Sequence, residues 1–118
     1  SAELAVKRRA TSMSSRTREM IFSEMSEGSL SQEHIARELG VSSRTLRRKL
    51  EAENYSFQSL LDECRMRAAA LEFRSRRSVS LSEVAFKLGY SEHSTFSRAF
   101  GRWAGMAPQD YRRSFALH

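Results

Sequence analysis

Apolar residues recur along most of the chain at intervals of three and four, the period of one helix face rather than the alternation of a half-buried strand. The pattern turns helical from about Ser14, with Ile21 and Met25 four apart, and Gly28 reads as the stop. A short second helix follows from Ser31, with Ile35, Ala36 and Leu39 on one face. Gly40-Val41-Ser42 makes a turn, and a third helix carries Leu46 and Leu50. Phe57, Leu61, Cys64, Ala68 and Leu71 then form one apolar stripe, which predicts a helix of about 18 residues and about 27 Å. Ser80 and Glu83 make a capping box for a helix with Val84, Ala85 and Leu88. After Gly89-Tyr90-Ser91 comes a helix with Phe96, Phe100 and Trp103, and Pro108 opens a last one through Tyr111.

These elements make the chain all-α, with about seven helices. Five Gly and one Pro are too few for the turns of an all-β protein, and 40% hydrophobic residues exclude a disordered chain. No apolar run approaches a membrane span. The lone cysteine, Cys64, allows no internal disulfide. His34 and His118 have no Cys or acidic partner at ligand spacing, so no metal site is read. No phosphate-cradling glycine loop or nucleophile elbow occurs, so no catalytic residue, cofactor or enzymatic activity is assigned.

The most informative pattern is an internal repeat. Ser31, Ile35, Ala36, Leu39 and Gly40 meet Ser80, Val84, Ala85, Leu88 and Gly89 at a constant offset of 49. Beyond the glycine the second copy carries one extra residue, so that Leu46 and Leu50 meet Phe96 and Phe100. Each copy has the physics of a helix-turn-helix: a small Ala where two helices cross, a Gly for a left-handed turn, and an apolar plug after it (Val41, Tyr90).

Charge then gives the repeat a purpose. Seventeen Arg and three Lys against fourteen acids leave a net charge of +6. Arg binds phosphates and guanine edges bidentately, which Lys does not. With Leu46 and Leu50 facing inward, Arg44, Thr45, Arg47, Arg48 and Lys49 are left outside. In the second copy His93, Ser94, Ser97, Arg98 and Arg102 are left outside Phe96 and Phe100. Arginines mixed with short hydroxyls suit base edges and phosphates in a major groove. A basic helical module that docks proteins or a membrane surface is the competing reading of the same faces.

The second half supplies a resemblance. Ala85, Gly89-Tyr90-Ser91, Phe96-Ser97-Arg98-Ala99-Phe100, Arg102-Trp103, Gly105, Pro108 and Tyr111-Arg112 resemble the signature of the AraC/XylS family of bacterial transcription regulators, and the likeness covers roughly residues 14–115. It implies two helix-turn-helix subdomains joined by a long central helix, with both recognition helices in successive major grooves of double-stranded DNA. The DNA-binding residues it nominates are Arg44, Thr45, Arg47 and Arg48 in the first recognition helix and His93, Ser94, Ser97 and Arg98 in the second. Arg44 and Arg98 are assigned as base readers; Arg47 and Arg48 are left between base and phosphate, and His93 between base contact and surface residue. Two departures stand out: Gly101, where a helix former is usual, and Ala107, where a Ser commonly caps the last helix.

The expected organisation is a tail or linker over 1–13, a first subdomain over 14–55, a linker helix over 56–76 and a second subdomain over 77–118. The chain opens on Ser1 rather than Met and on the basic Lys7-Arg8-Arg9, which reads as a piece of a longer protein. An N-terminal effector or dimerisation domain, contact with RNA polymerase, activation of transcription and a cytoplasmic location are what the resemblance adds.

Overall fold

The computed structural model describes residues 12–25, 30–75 and 79–116, with side chains through residue 114. Gly28, the Lys7-Arg8-Arg9 cluster and His118 lie outside the described residues. Seven helices follow in order among those described: α1 Met13–Glu24, α2 Gln32–Glu38, α3 Ser43–Ala52, α4 Phe57–Ser75, α5 Leu81–Lys87, α6 His93–Ala104 and α7 Pro108–Ala116. The chain divides into two compact units, Ser1–Cys64 and Arg65–His118, whose boundary falls inside α4. The helix expected over 56–76 is present as α4, and the division of the chain falls within it.

In the first unit Ser12 is already the N-cap of α1, and Met13 is buried, so the helix begins inside the tail expected over 1–13. Ser12 Oγ accepts from the Ser15 N–H at 3.2 Å. A second cap arrives from 40 residues along the chain. The Glu53 carboxylate, just past the end of α3, accepts from Met13 N at 3.1 Å, Ser14 N at 3.2 Å and Ser14 Oγ at 2.7 Å. A carboxylate on orphan N–H groups satisfies donors that no helix can satisfy itself and meets the positive end of the dipole. Ile21, Ile35, Leu46 and Leu50 are fully buried, making an aliphatic core under the three helices.

The turn between α2 and α3 explains its glycine. Gly40 N–H donates to Arg37 O and Val41 N–H to Ala36 O, both at 3.0 Å, the paired closure of a Schellman motif. The motif needs a left-handed residue, and Gly40 has φ +75°. The second unit repeats it: Gly89 N–H donates to Phe86 O, Tyr90 N–H donates to Ala85 O, and Gly89 has φ +92°. Each turn is also held by an arginine from the preceding helix. Arg16 Nη2 donates to Leu39 O and Arg65 Nε to Leu88 O, each at 3.4 Å, so a cation sits at the negative end of α2 and of α5. Arg16 and Arg65 are themselves 49 residues apart, so the repeat extends beyond the two hairpins into the helices that support them.

Along α4 the buried positions are Leu60, Leu61 and Cys64 on the first unit's side of the boundary and Ala69 and Phe73 beyond it. The single stripe read from the sequence does not hold to the end. Ala68 is half-buried and Leu71 is 63% exposed. A helix that serves one unit with its first half and another with its second has no reason to keep one apolar line, and Phe73 takes the place expected for Leu71. In the second unit Phe73 meets Phe100 at 5.8 Å between ring centroids, and Phe100 also meets Phe96 at 5.8 Å and Tyr111 at 5.2 Å. These separations fall in the favourable range for tilted and edge-on rings.

A Cβ at Gly40 would meet open space, so Gly40→Ala isolates the cost of the left-handed conformation, about 1–2 kcal/mol. Thermal unfolding is expected to show that loss, and an unchanged midpoint would contradict the turn as described.

Candidate nucleic-acid interface

The second helix of each hairpin carries the nominated residues, and its inward pair fixes which way they point. Leu46 and Leu50 are fully buried, as are Phe96 and Phe100. On α3 this leaves Arg44, Arg47, Arg48 and Lys49 exposed and Thr45 half-buried. On α6 it leaves His93, Ser94, Arg98 and Arg102 exposed and Ser97 half-buried. Arg44, Arg48, Ser94 and Arg98 thus lie exposed on the face away from their own core pair. Arg47 is exposed, and Thr45 and Ser97 half-buried, on the flanks of that face. His93 is exposed in the first turn of α6, three residues before Phe96.

The structure gathers the four residues of α3 more closely than the sequence could. Arg44, Thr45, Arg47 and Arg48 line one depression on the helix, together with Glu51. Ser42 caps this helix by accepting from Thr45 N–H at 3.1 Å, and its hydroxyl donates to Thr45 Oγ1 at 2.9 Å. The Thr45 hydroxyl is therefore oriented but keeps its own hydrogen to donate. Gln32 Nε2 donates to Ser43 O at 3.2 Å, pinning the start of α2 to the start of α3. Glu51 is the residue that the outward-facing pattern missed: its carboxylate accepts from Arg47 Nε at 3.1 Å. The signal was present as an acid four residues after an arginine on a helix.

The second helix of the second hairpin, α6, begins less firmly. The turn before it runs over 88–92 rather than 39–42, which absorbs the extra residue of the second copy. Glu92 becomes the N-cap and makes no side-chain capping hydrogen bond. The first backbone bond of α6, Phe96 N–H to Glu92 O, is 3.4 Å long against 2.9 Å for Leu46 N–H to Ser42 O. His93 and Ser94 ride on that loosely closed turn. At the other end Gly105, with φ +74°, closes α6 by donating to Gly101 O at 3.0 Å. Tyr90, the plug of this turn, stacks under the Arg65 guanidinium at 4.5 Å.

Two further ion pairs join helices within the first unit. Arg18 bonds Glu63 and lies over the Tyr55 ring at 4.8 Å. That bond to Glu63, opposed by partial burial and aided by Tyr55, shifts the Arg18 pKa upward from its ordinary value. His34 Nε2 meets Glu24 Oε2 at 2.9 Å, joining α2 to α1. Glu24, His34 and Glu38 bring their ligand atoms within 4.8 Å of one another. Glu24 comes from another helix, so sequence spacing hid it, but Glu38 lies four residues after His34 on α2. The reading that His34 has no acidic partner at ligand spacing is therefore corrected. Among the described residues no helix is long and apolar enough to cross a membrane.

Two hairpins, each turning on a left-handed glycine and presenting a polar second helix, define a double helix-turn-helix protein. Comparison with known proteins makes the class specific. A family model described as a helix-turn-helix domain matches residues 35–114. The ornithine utilization regulator of Pseudomonas aeruginosa is 42% identical over 82 residues, covering 70% of this chain and 24% of that protein. An uncharacterized HTH-type transcriptional regulator of Mycobacterium tuberculosis is 44% identical over 79 residues, 67% of this chain and 23% of its own length. Among solved structures, a DNA-binding transcriptional dual regulator from Escherichia coli K-12 aligns with a TM-score of 0.83 at 31% identity, covering 90% of this chain and 94% of that one. The C-terminal domain of AraT, a response regulator from Geobacillus stearothermophilus, aligns at 0.80 and 34% identity, covering 90% of this chain and 88% of that one. The chain belongs to the AraC/XylS family of transcription regulators and corresponds to its helix-turn-helix DNA-binding domain. It spans about a quarter of the length of the curated relatives it matches.

Two substitutions test the weak points of α6. Glu92→Ser supplies the missing cap and is expected to raise stability by about 1 kcal/mol. Gly101→Ala places a methyl group in open space on a helix and is expected to add about 1 kcal/mol through propensity. Denaturant titration measures both, and a loss of stability in either variant would refute this description of the helix.

Proposed function

We propose that this chain is a sequence-specific reader of double-stranded DNA within a bacterial transcription regulator, with α3 and α6 as recognition helices in successive major grooves. The observation that carries this reading is the duplicated exposure: the same hairpin, turned on the same left-handed glycine, presents an outward polar face twice. A solvated helix face explains one such surface readily. It gives no reason for two at matching positions of a repeat.

Arg44 and Arg98 read bases in this scheme, since both project from reading helices away from the buried pair. Arg47, Arg48, Thr45, His93, Ser94 and Ser97 complete the contact surface through base edges and phosphates. Regulation in the cytoplasm, activation through contact with RNA polymerase, and an effector or dimerisation domain beyond this chain complete the proposal, on the strength of the family membership.

Selection of bound sequences from random DNA is expected to yield two boxes about one helical turn apart. Affinity is expected to fall steeply with salt, with a slope set by the phosphate contacts. Arg44→Ala or Arg98→Ala is expected to relax preference at particular base pairs, by about 1–3 kcal/mol each, while nonspecific affinity is largely kept. Equal weakening on every sequence would contradict base reading and favour a nonspecific basic surface.

A further inference from the structure

An acid on a surface that meets DNA works against binding, because phosphates repel it. Glu51 is such an acid: it lines the depression on α3 with Arg44, Thr45, Arg47 and Arg48, and its side chain is 61% exposed. The second unit has no counterpart. With α3 and α6 aligned on their buried pairs, Glu51 meets Gly101 and Arg47 meets Ser97. The pair is thus a feature of one reading helix, and as an exposed ion pair it contributes little to stability.

The geometry points to Glu51 as a positioning residue that makes Arg47 a reader of guanine rather than a holder of phosphate. This inference rests on α3 being a recognition helix. The Glu51 carboxylate takes the Nε–H of Arg47 at 3.1 Å and, among the described residues, leaves both terminal nitrogens unengaged. Those two nitrogens form the fork that reaches guanine O6 and N7 together. An arginine tethered at Nε also keeps fewer rotamers to lose when it binds, so more of the contact energy appears as discrimination. The carboxylate's own charge opposes swinging the guanidinium outward beside a phosphate, where the acid would have to follow. Arg48, one residue on and with no ion partner among the described residues, is free to take that second role.

The test compares the unaltered chain with Arg47→Ala, Glu51→Gln and the double variant. Each is titrated against the selected site, a set of single-pair variants of that site, and unrelated DNA at two salt concentrations. Glu51→Gln is expected to lose discrimination roughly tenfold at the same G·C pair that Arg47→Ala affects, while its affinity for unrelated DNA rises. The double variant is expected to lose no more discrimination than Arg47→Ala alone, the mark of two residues acting as one. Glu51→Gln binding every sequence more tightly with discrimination intact overturns the inference, because the acid would then be only a repulsive charge. Arg47→Ala reducing affinity equally on all sites also overturns it, since Arg47 would then be a phosphate contact. If the unaltered chain shows no sequence preference, the recognition-helix reading falls as well, and that outcome is visible before any variant is made.

Discussion

The direction of the second helix in each hairpin depends on one residue held in a left-handed conformation that L side chains rarely adopt. At Gly40 and Gly89 the backbone turns left-handed, and the N–H of the following residue closes on the carbonyl five positions earlier. Once that closure is made, the chain must leave the first helix of the hairpin along a set path. The path decides which side of the next helix faces the core, and Leu46 with Leu50, or Phe96 with Phe100, then hold that side down. What remains outside is the exposed polar face of α3 and of α6. The arginines of α3 are thus aimed by a turn to which they contribute nothing, and Arg16 and Arg65 secure that turn from behind.

The two units solve the same problem with different materials. The first packs aliphatic side chains and depends on charge for its outer ties: Glu53 on the start of α1, Arg18 on Glu63, His34 on Glu24. The second packs rings, with Phe100 touching Phe73, Phe96, Trp103 and Tyr111. Ring packing is directional, so a connected set of aromatics fixes α6 and α7 through geometry as well as buried area. Arg112 adds a bond to the Val79 carbonyl, tying α7 to the strip of chain that leads into α5. The firmer entry belongs to α3, whose cap is complete, while α6 starts on Glu92 without one.

Most of the architecture was legible because it is periodic. Apolar residues three and four apart located the helices, and the constant offset of 49 showed the duplication before any coordinates. The same inward pairs showed which residues of α3 and α6 must face out. Contacts between helices distant in sequence were not legible. Nothing local marks Glu53 as the cap of a helix 40 residues upstream, or Glu24 as the partner of His34. The stripe on α4 misled at Leu71 because periodicity assumes that one face meets one core, and this helix is divided between two units. Glu51 was passed over for a different reason: an outward acid among arginines looks like ordinary solvation until its bond to Arg47 Nε is seen.

The Glu53 carboxylate has a mechanical meaning. It joins the first turn of α1 to the residue that ends α3, so the start of one helix is latched to the far end of another. Met13 and Thr17 of α1 are buried as well, so the start of α1 is held by that carboxylate and by the core together.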